Sequence, residues 1–329
     1  MYMKQLILFL IVCIFVNSLS AQKGKKVKSD SIDTSDKFYT DGLAEFNRYQ
    51  RSVGNKEALL NDKLVEAAKK HAEYLTLNHI NTPMTLEWHN EVEGNPGFIG
   101  KNPEEQAKAM GFSPSENHWV VNTMGSFSNF EAYSTPEYIF HHLASTIYHR
   151  GMIVGMEYEA IGFYRHTDSK TGFSLLVFFG SQKLHNGSDR LMRYPGKGQT
   201  DISVGMLPEI PQPFESLMTG FPISVQLNTS DYEKGITIVS AEIISPKGKK
   251  LPLLTLSQDS EGEAGKWAKL LKLVAIATKG ALEPNSKYTV KLKLKDTTGK
   301  IVFNETWSFT TDDGKMKFLG IDFKDAIGN

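Results

Sequence analysis

The sequence is poor in cysteine and has no surplus of either charge. Its only cysteine is Cys13, and 37 basic residues face 37 acidic ones. A nucleic-acid-binding protein normally shows a basic excess or stripe, so that class of partner is excluded. "KGKKVK" at 23–28 is a local basic run, but "SDSIDTSD" follows at once, and the stretch reads as a solvated linker. Apolar runs of membrane-spanning length are missing too. The run from Leu6 to Val16 is too short for a comfortable transmembrane helix. One lysine precedes it and small polar residues ending in Ala21 follow, which is the pattern of a secretory signal peptide. Val12 stands where a lipoprotein would have a small residue, so Cys13 reads as an ordinary apolar residue of the signal.

Cleavage after Ala21 removes Cys13 and Lys4, leaving 36 basic and 37 acidic residues and no cysteine. That chain has no disulfide, no thiolate metal site and no cysteine nucleophile. It must be stabilised by burial alone, and its length allows two ordinary domains. The expected location is outside the cytoplasm, extracellular or periplasmic, with no stable transmembrane anchor once the signal is removed.

Texture divides the rest. Residues 37–185 carry helical patterns, the histidines and two late strands, whereas the chain from about 195 to 313 alternates in strand fashion and has no histidine. In "NDKLVEAAKKHAEYLTLNH" Leu64, Ala67, Ala68, His71, Ala72 and Leu75 share one helical face, and Asn61 or Asp62 can cap its start. "KNPEEQAKAMGF" has Asn102 as cap, Pro103 first and Gly111 as stop, and "STPEYIFHHLAS" repeats the logic with Thr135 and Pro136. "YEAIGFYR" and "GFSLLVFFGS" read as strands joined by a turn. In "KYTVKLKLKD" Tyr288, Val290, Leu292 and Leu294 face one way and the lysines the other, as in an antiparallel sheet with one wet face. "PISVQL" and "WSFTT" follow the same rule. "GEAGKWAKLLKLVAIATKG" fits a helix or strands, with strand favoured after Lys269.

The expected organisation is therefore signal peptide 1–21, linker 22–36, first domain 37–185, linker 186–195, β domain 196–313 and tail 314–329. The Gly- and Pro-rich junction predicts two folding units parted between about Leu184 and Thr200.

Three polar residues of the first region invite a shared site: His89 in "LEWHNEVEGNPGFIG", Glu116 in "SENHW" and His149 in "YHR". Two neutral imidazoles and a carboxylate can hold zinc or another divalent cation with a position open to water. They can equally serve as general acid and base without metal, and the spacing does not choose. The plainer reading of "YHR" is a helix C-terminus with cations on its dipole.

These pieces carry a resemblance. "LNDKLVEAAKKHAEYL", "WHNEVEGNPGFIGKNPEEQAKAMGF", "SEN", "TPEYIFHHLASTIYHRGMIV" and "YEAIGFY", in that order over about residues 40–180, resemble the CAP superfamily, also called SCP domains, nearest its bacterial extracellular branch. The resemblance implies an α-β-α sandwich around a small antiparallel sheet, with a central cavity holding two histidines and two acidic residues. His89 and His149 match the histidines, and Glu116 matches one acid. Ser115 stands in place of the glycine before that Glu, Leu143 in place of a tryptophan, and Thr146 where the second acid would fall. "YPGKGQTDISV" and "LEPNSKYTVKLKLKDTTGK…WSFTT" resemble a bacterial Ig-like or fibronectin-like domain. The overall expectation is an α+β chain: a CAP-type sandwich followed by an all-β Ig-like sandwich.

Of the remaining groups, His71 reads as a packed structural histidine, Trp88 as packing, and Asn117 as a structural side chain. His141 and His142 point in different directions, and Arg150 reads as a salt bridge orienting its loop. Three functions follow. One is a binding protein whose His89/Glu116/His149 cavity takes a divalent metal or small ligand without turnover. The second is a metal-assisted or general-base hydrolase with Glu116 as catalytic base. The third is a surface protein that binds its partner through the Ig-like domain.

Overall fold

The computed structural model describes residues 32–79, 86–128, 135–168, 173–183, 190–206, 209, 211–216, 219–229, 231 and 233–315. The expected signal peptide, most of its linker and nearly all of the tail lie outside these residues. The chain is α+β, and among the described residues no helix is long and apolar enough to cross a membrane.

The first region holds α1 (Lys37–Ser52), β1 (Leu59–Leu60), α2 (Asp62–Asn78), α3 (Pro103–Ala109), β2 (His118–Ser128), α4 (Pro136–Ser145), α5 (Ile147–Ile153), β3 (Tyr158–Asp168) and β4 (Phe173–Lys183). The helix starts sit where the caps predict. Asn61 accepts from the amides of Lys63 and Leu64, Asn102 from Glu105, and Thr135 from Tyr138. Every apolar-face residue predicted for α2 is buried, His71 included. The strands form one sheet in the order β1-β3-β4-β2, antiparallel except for the β1–β3 pair.

Strand β4 shows why "SLLVFF" is apolar without a break. Leu175, Val177 and Phe179 pack with Leu64, Ala68 and Ala72 of α2, while Leu176 and Phe178 pack on the opposite face with Phe46 of α1 and Phe140 of α4. A strand buried on both faces loses the period-two pattern. Helices thus cover both faces of this sheet.

The second region holds β5 (Arg190–Tyr194), β6 (Ile223–Asn228), β7 (Ile236–Ile244), β8 (Leu253–Leu256), α6 (Gly262–Leu270), β9 (Leu273–Thr278), β10 (Lys287–Asp296) and β11 (Ile301–Thr310). Its strands form two antiparallel sheets, β5-β6-β9-β8 and β11-β10-β7. On β10 Tyr288, Val290, Leu292 and Leu294 are buried, as the alternation predicts. The ambiguous stretch is helix and then strand: α6 ends at Leu270, and β9 starts at Leu273.

Two expectations are corrected. The linker expected over 186–195 contains β5, whose residues Arg190–Tyr194 pair with β6 and open the sheet. Strand β6 ("PISVQL"), expected to have one wet face, is buried on both, and so is β9. The physical reason is that the first region lies on their outer face. Ile147 and Tyr148 of α5 pack with Leu271, Leu273 and Ala275, and Tyr148 meets Trp267 of α6 at a ring separation of 5.4 Å. One apolar core runs unbroken from Phe46 and Phe178 through Tyr194 and Val225 to Val290 and Trp307.

Candidate functional site

The site is built around a break between two helices. Helix α4 stops at Ser145, Thr146 is extended at φ −92° and ψ 165°, and α5 begins at Ile147. His149 therefore lies in the first turn of a new helix, not at a helix C-terminus. The plainer reading of "YHR" is corrected accordingly: this is the positive end of the dipole, where an anion belongs.

The anion is Glu209, on the connection between β5 and β6. Its Oε2 accepts from the amide of Ile147 at 2.7 Å, and its Oε1 from the amides of Tyr148 at 3.0 Å and His149 at 3.2 Å. The same Oε1 lies 2.8 Å from Nδ1 of His149. The Glu209 side chain is 1 % exposed, against 27 % for that of His149. An ionised carboxylate only accepts, so whenever the His149 ring carries a single proton this bond places it on Nδ1 and leaves the lone pair on Nε2.

His89 reaches the same state by a different route. It closes the 3₁₀ turn Leu86–His89, and its Nδ1 is 2.6 Å from Oδ1 of Asn122 on β2. The Asn122 amide nitrogen donates to the His89 carbonyl at 3.1 Å and to Gln106 Oε1 at 3.4 Å, which fixes the amide orientation and makes Oδ1 the acceptor. His89 Nδ1 is then the donor and Nε2 again holds the lone pair. Burial pushes the His89 pKa down, the Asn122 hydrogen bond opposes this, and His71 and His149 each add repulsion. The net effect favours the neutral imidazole at His89. Neither Nε2 has a hydrogen-bond partner among the described residues.

Beneath His89 a buried pair pins its loop to α2. His71 Nε2 donates to the Trp88 carbonyl at 2.8 Å, and Nδ1 meets Glu91 Oε1 at 2.9 Å. Glu91 Oε2 accepts from the amide of Ile99 at 2.7 Å. His71 is structural, as expected, but it also positions the loop that carries His89.

Glu116 is exposed in the turn before β2, and among the described residues the contact it makes is through its backbone carbonyl, 3.1 Å from Nδ1 of His118. No hydrogen bond or ion pair joins its carboxylate to His89 or His149. Arg150, expected in a salt bridge, is corrected. It is 1 % exposed and donates to the carbonyls of Ala144, Ser145 and Pro222 and to the Ser224 hydroxyl, with Phe221 and Tyr194 rings against the guanidinium. Carbonyl dipoles and π faces replace the carboxylate, and burial pushes its pKa down to about 10.

Among the described residues no three His, Cys, Asp or Glu side chains are grouped to hold a metal ion. Two imidazole Nε2 atoms, were both to bind one cation, would be fewer protein ligands than a closed zinc site needs. The sequence reading missed Glu209 and Asn122. Asn122 had a signal, a lone amide inside the apolar stretch "WVVNTM"; Glu209, sixty residues from His149, had none.

No family model matches the chain, and no curated protein matches it. Among solved structures, an outer surface protein of Borrelia burgdorferi is similar at 15 % identity and a TM-score of 0.33, over 46 % of this chain and 96 % of that one. The C-terminal domain of the Streptococcus agalactiae AgI/II polypeptide BspA is similar at 9 % identity and a TM-score of 0.13, over 59 % of this chain and 94 % of that one.

Proposed function

We propose that the protein is an exported, CAP-like binding protein whose His89/His149 pair takes a divalent cation such as zinc, leaving open positions for water or a small ligand, without turnover. One observation carries the reading: both imidazoles have Nδ1–H held by an acceptor, Asn122 in one case and Glu209 in the other. This is the arrangement that readies the opposite nitrogen for a metal or a ligand proton. The cation would supply a positive, polarising centre. The protein would supply two neutral donors and a fixed ring orientation.

Binding is favoured over hydrolysis because the base assigned to the hydrolase, Glu116, lies in an exposed turn with no bond to either histidine. The second region, read as Ig-like, is better regarded as part of the site's frame than as a free adhesive module, since Glu209 and Ser224 reach into α5. The resemblance of residues 40–180 to the CAP superfamily and the signal-peptide pattern support export and a cavity at this position.

Calorimetric zinc titration of the wild type, His89→Ala and His149→Ala tests the proposal. Zinc binding by wild type, abolished in each variant, is the expected result. Equal binding by all three, or none by wild type, overturns it.

A further inference from the structure

We propose that Glu209, a residue of the second region, is the positioning residue of His149, so that the two-histidine site is competent only while the two regions are docked. The inference rests on the binding role of His89 and His149 and names what controls one of them.

Glu209 is placed to select a tautomer. Four donors converge on its two oxygens: the amides of Ile147, Tyr148 and His149, and His149 Nδ1. The other polar group near that ring nitrogen is the Thr146 hydroxyl, 3.2 Å away, which itself donates to the Leu143 carbonyl at 2.9 Å. A hydroxyl can donate or accept, so Thr146 alone imposes no tautomer. Without Glu209 the Thr146 hydroxyl can turn its proton toward Nδ1. The ring proton then moves to Nε2 and occupies the lone pair that a ligand needs. A carboxylate can only hold the proton on Nδ1.

The control comes from outside the first region. Glu209 lies on the β5–β6 connection, and Arg150, one residue after His149, donates to Pro222 and Ser224 at the start of β6. Helix α5 is thus held by the second region at both its amide end and its guanidinium. Undocking withdraws the carboxylate from the ring. By linkage, a cation that selects the Nε2 lone pair must stabilise docking by the same factor that docking strengthens its binding.

The test uses the full exported chain with ¹⁵N-labelled histidine, at a pH where the imidazoles are neutral. Wild-type His149, assigned by the signal lost in His149→Ala, is expected as the Nδ1–H tautomer. Glu209→Ala should shift it toward Nε2–H and weaken zinc binding by roughly 10- to 100-fold, the size of loss seen when a ligand's outer partner is removed. Glu209→Gln, with one acceptor oxygen for four donors, should fall between. A merely structural cap would lower the melting temperature in Glu209→Ala and leave tautomer and affinity unchanged, and that result overturns the proposal. If Glu209→Ala does not fold, the tautomer in Glu209→Gln decides, and an unshifted one overturns it. If His89→Ala and His149→Ala bind zinc like wild type, the binding reading fails. The tautomer in the metal-free protein still judges Glu209 on its own.

Discussion

The Arg150 guanidinium donates to the carbonyl of Pro222 across 2.7 Å, carrying a cation of the first region into the wall of the second. It is fully buried and takes its compensation from three carbonyls, a hydroxyl and two ring faces. Such a group is expensive to remove, because its acceptors stay behind in a dry interface. Arg150→Met keeps the apolar stem and removes the donors. It should cost on the order of 3 kcal/mol in urea unfolding and open the 184–200 junction to protease. A loss below ~1 kcal/mol with an unchanged digestion pattern would mean that the guanidinium does not hold the regions together.

Much of the fold was legible, and the exceptions share a cause. Local chemistry fixes the starts of α2, α3 and α4 and the alternation of β10, so caps and period-two patterning suffice there. Strand β6 and the linker that became β5 were misread because their character depends on a neighbour distant in sequence. Ile223 and Val225 face the shared core, while Gln226 lies beneath Gly151 of α5 and Gly155 just beyond its end. Of the candidate site, His89 and His149 were singled out with Glu116 from their sequence contexts and then matched by a family resemblance. Glu209 was not, because no local pattern marks an acid that caps a helix sixty residues earlier.

Gly162 on β3 predicts a second sensitive point. A Cβ there would stand 2.2 Å from the backbone atoms Leu64 C and Val65 N, so α2 crosses the sheet in direct backbone contact. Backbone cannot yield as a side chain can. Gly162→Ala should destabilise by about 3 kcal/mol, the upper part of the overpacking range, and the reduced midpoint should appear in thermal unfolding. A neutral substitution would show that α2 can slide away from β3.

The pair beneath His89 is testable separately from the site itself. His71 and Glu91 are both fully buried and hold the Trp88 carbonyl and the Ile99 amide. His71→Ala leaves Glu91 without its partner, which should cost about 3–5 kcal/mol. The loop from Trp88 to Ile99 should then gain fast amide exchange while α4 and α5 keep theirs. Uniform loss of protection across the region would instead make His71 a general core residue with no special hold on the loop.

Acid should expose the buried imidazoles. Burial pushes the His142 pKa down to about 4, with His149 adding repulsion and Glu209 opposing it, and burial lowers His89 as well. In the unfolded chain both titrate near 6.5. Below that value the unfolded chain takes up protons that the folded chain refuses, so stability is full above pH 6.5 and falls as the pH drops toward 4. For His142 the whole effect is on the order of 3 kcal/mol. His142→Asn removes that share, so its unfolding free energy should fall less steeply than the wild type's between pH 6.5 and 4. The two curves should run parallel above pH 7. Urea titrations at half-unit pH intervals would measure both slopes, and equal slopes across the acid range would place the His142 ring in contact with water.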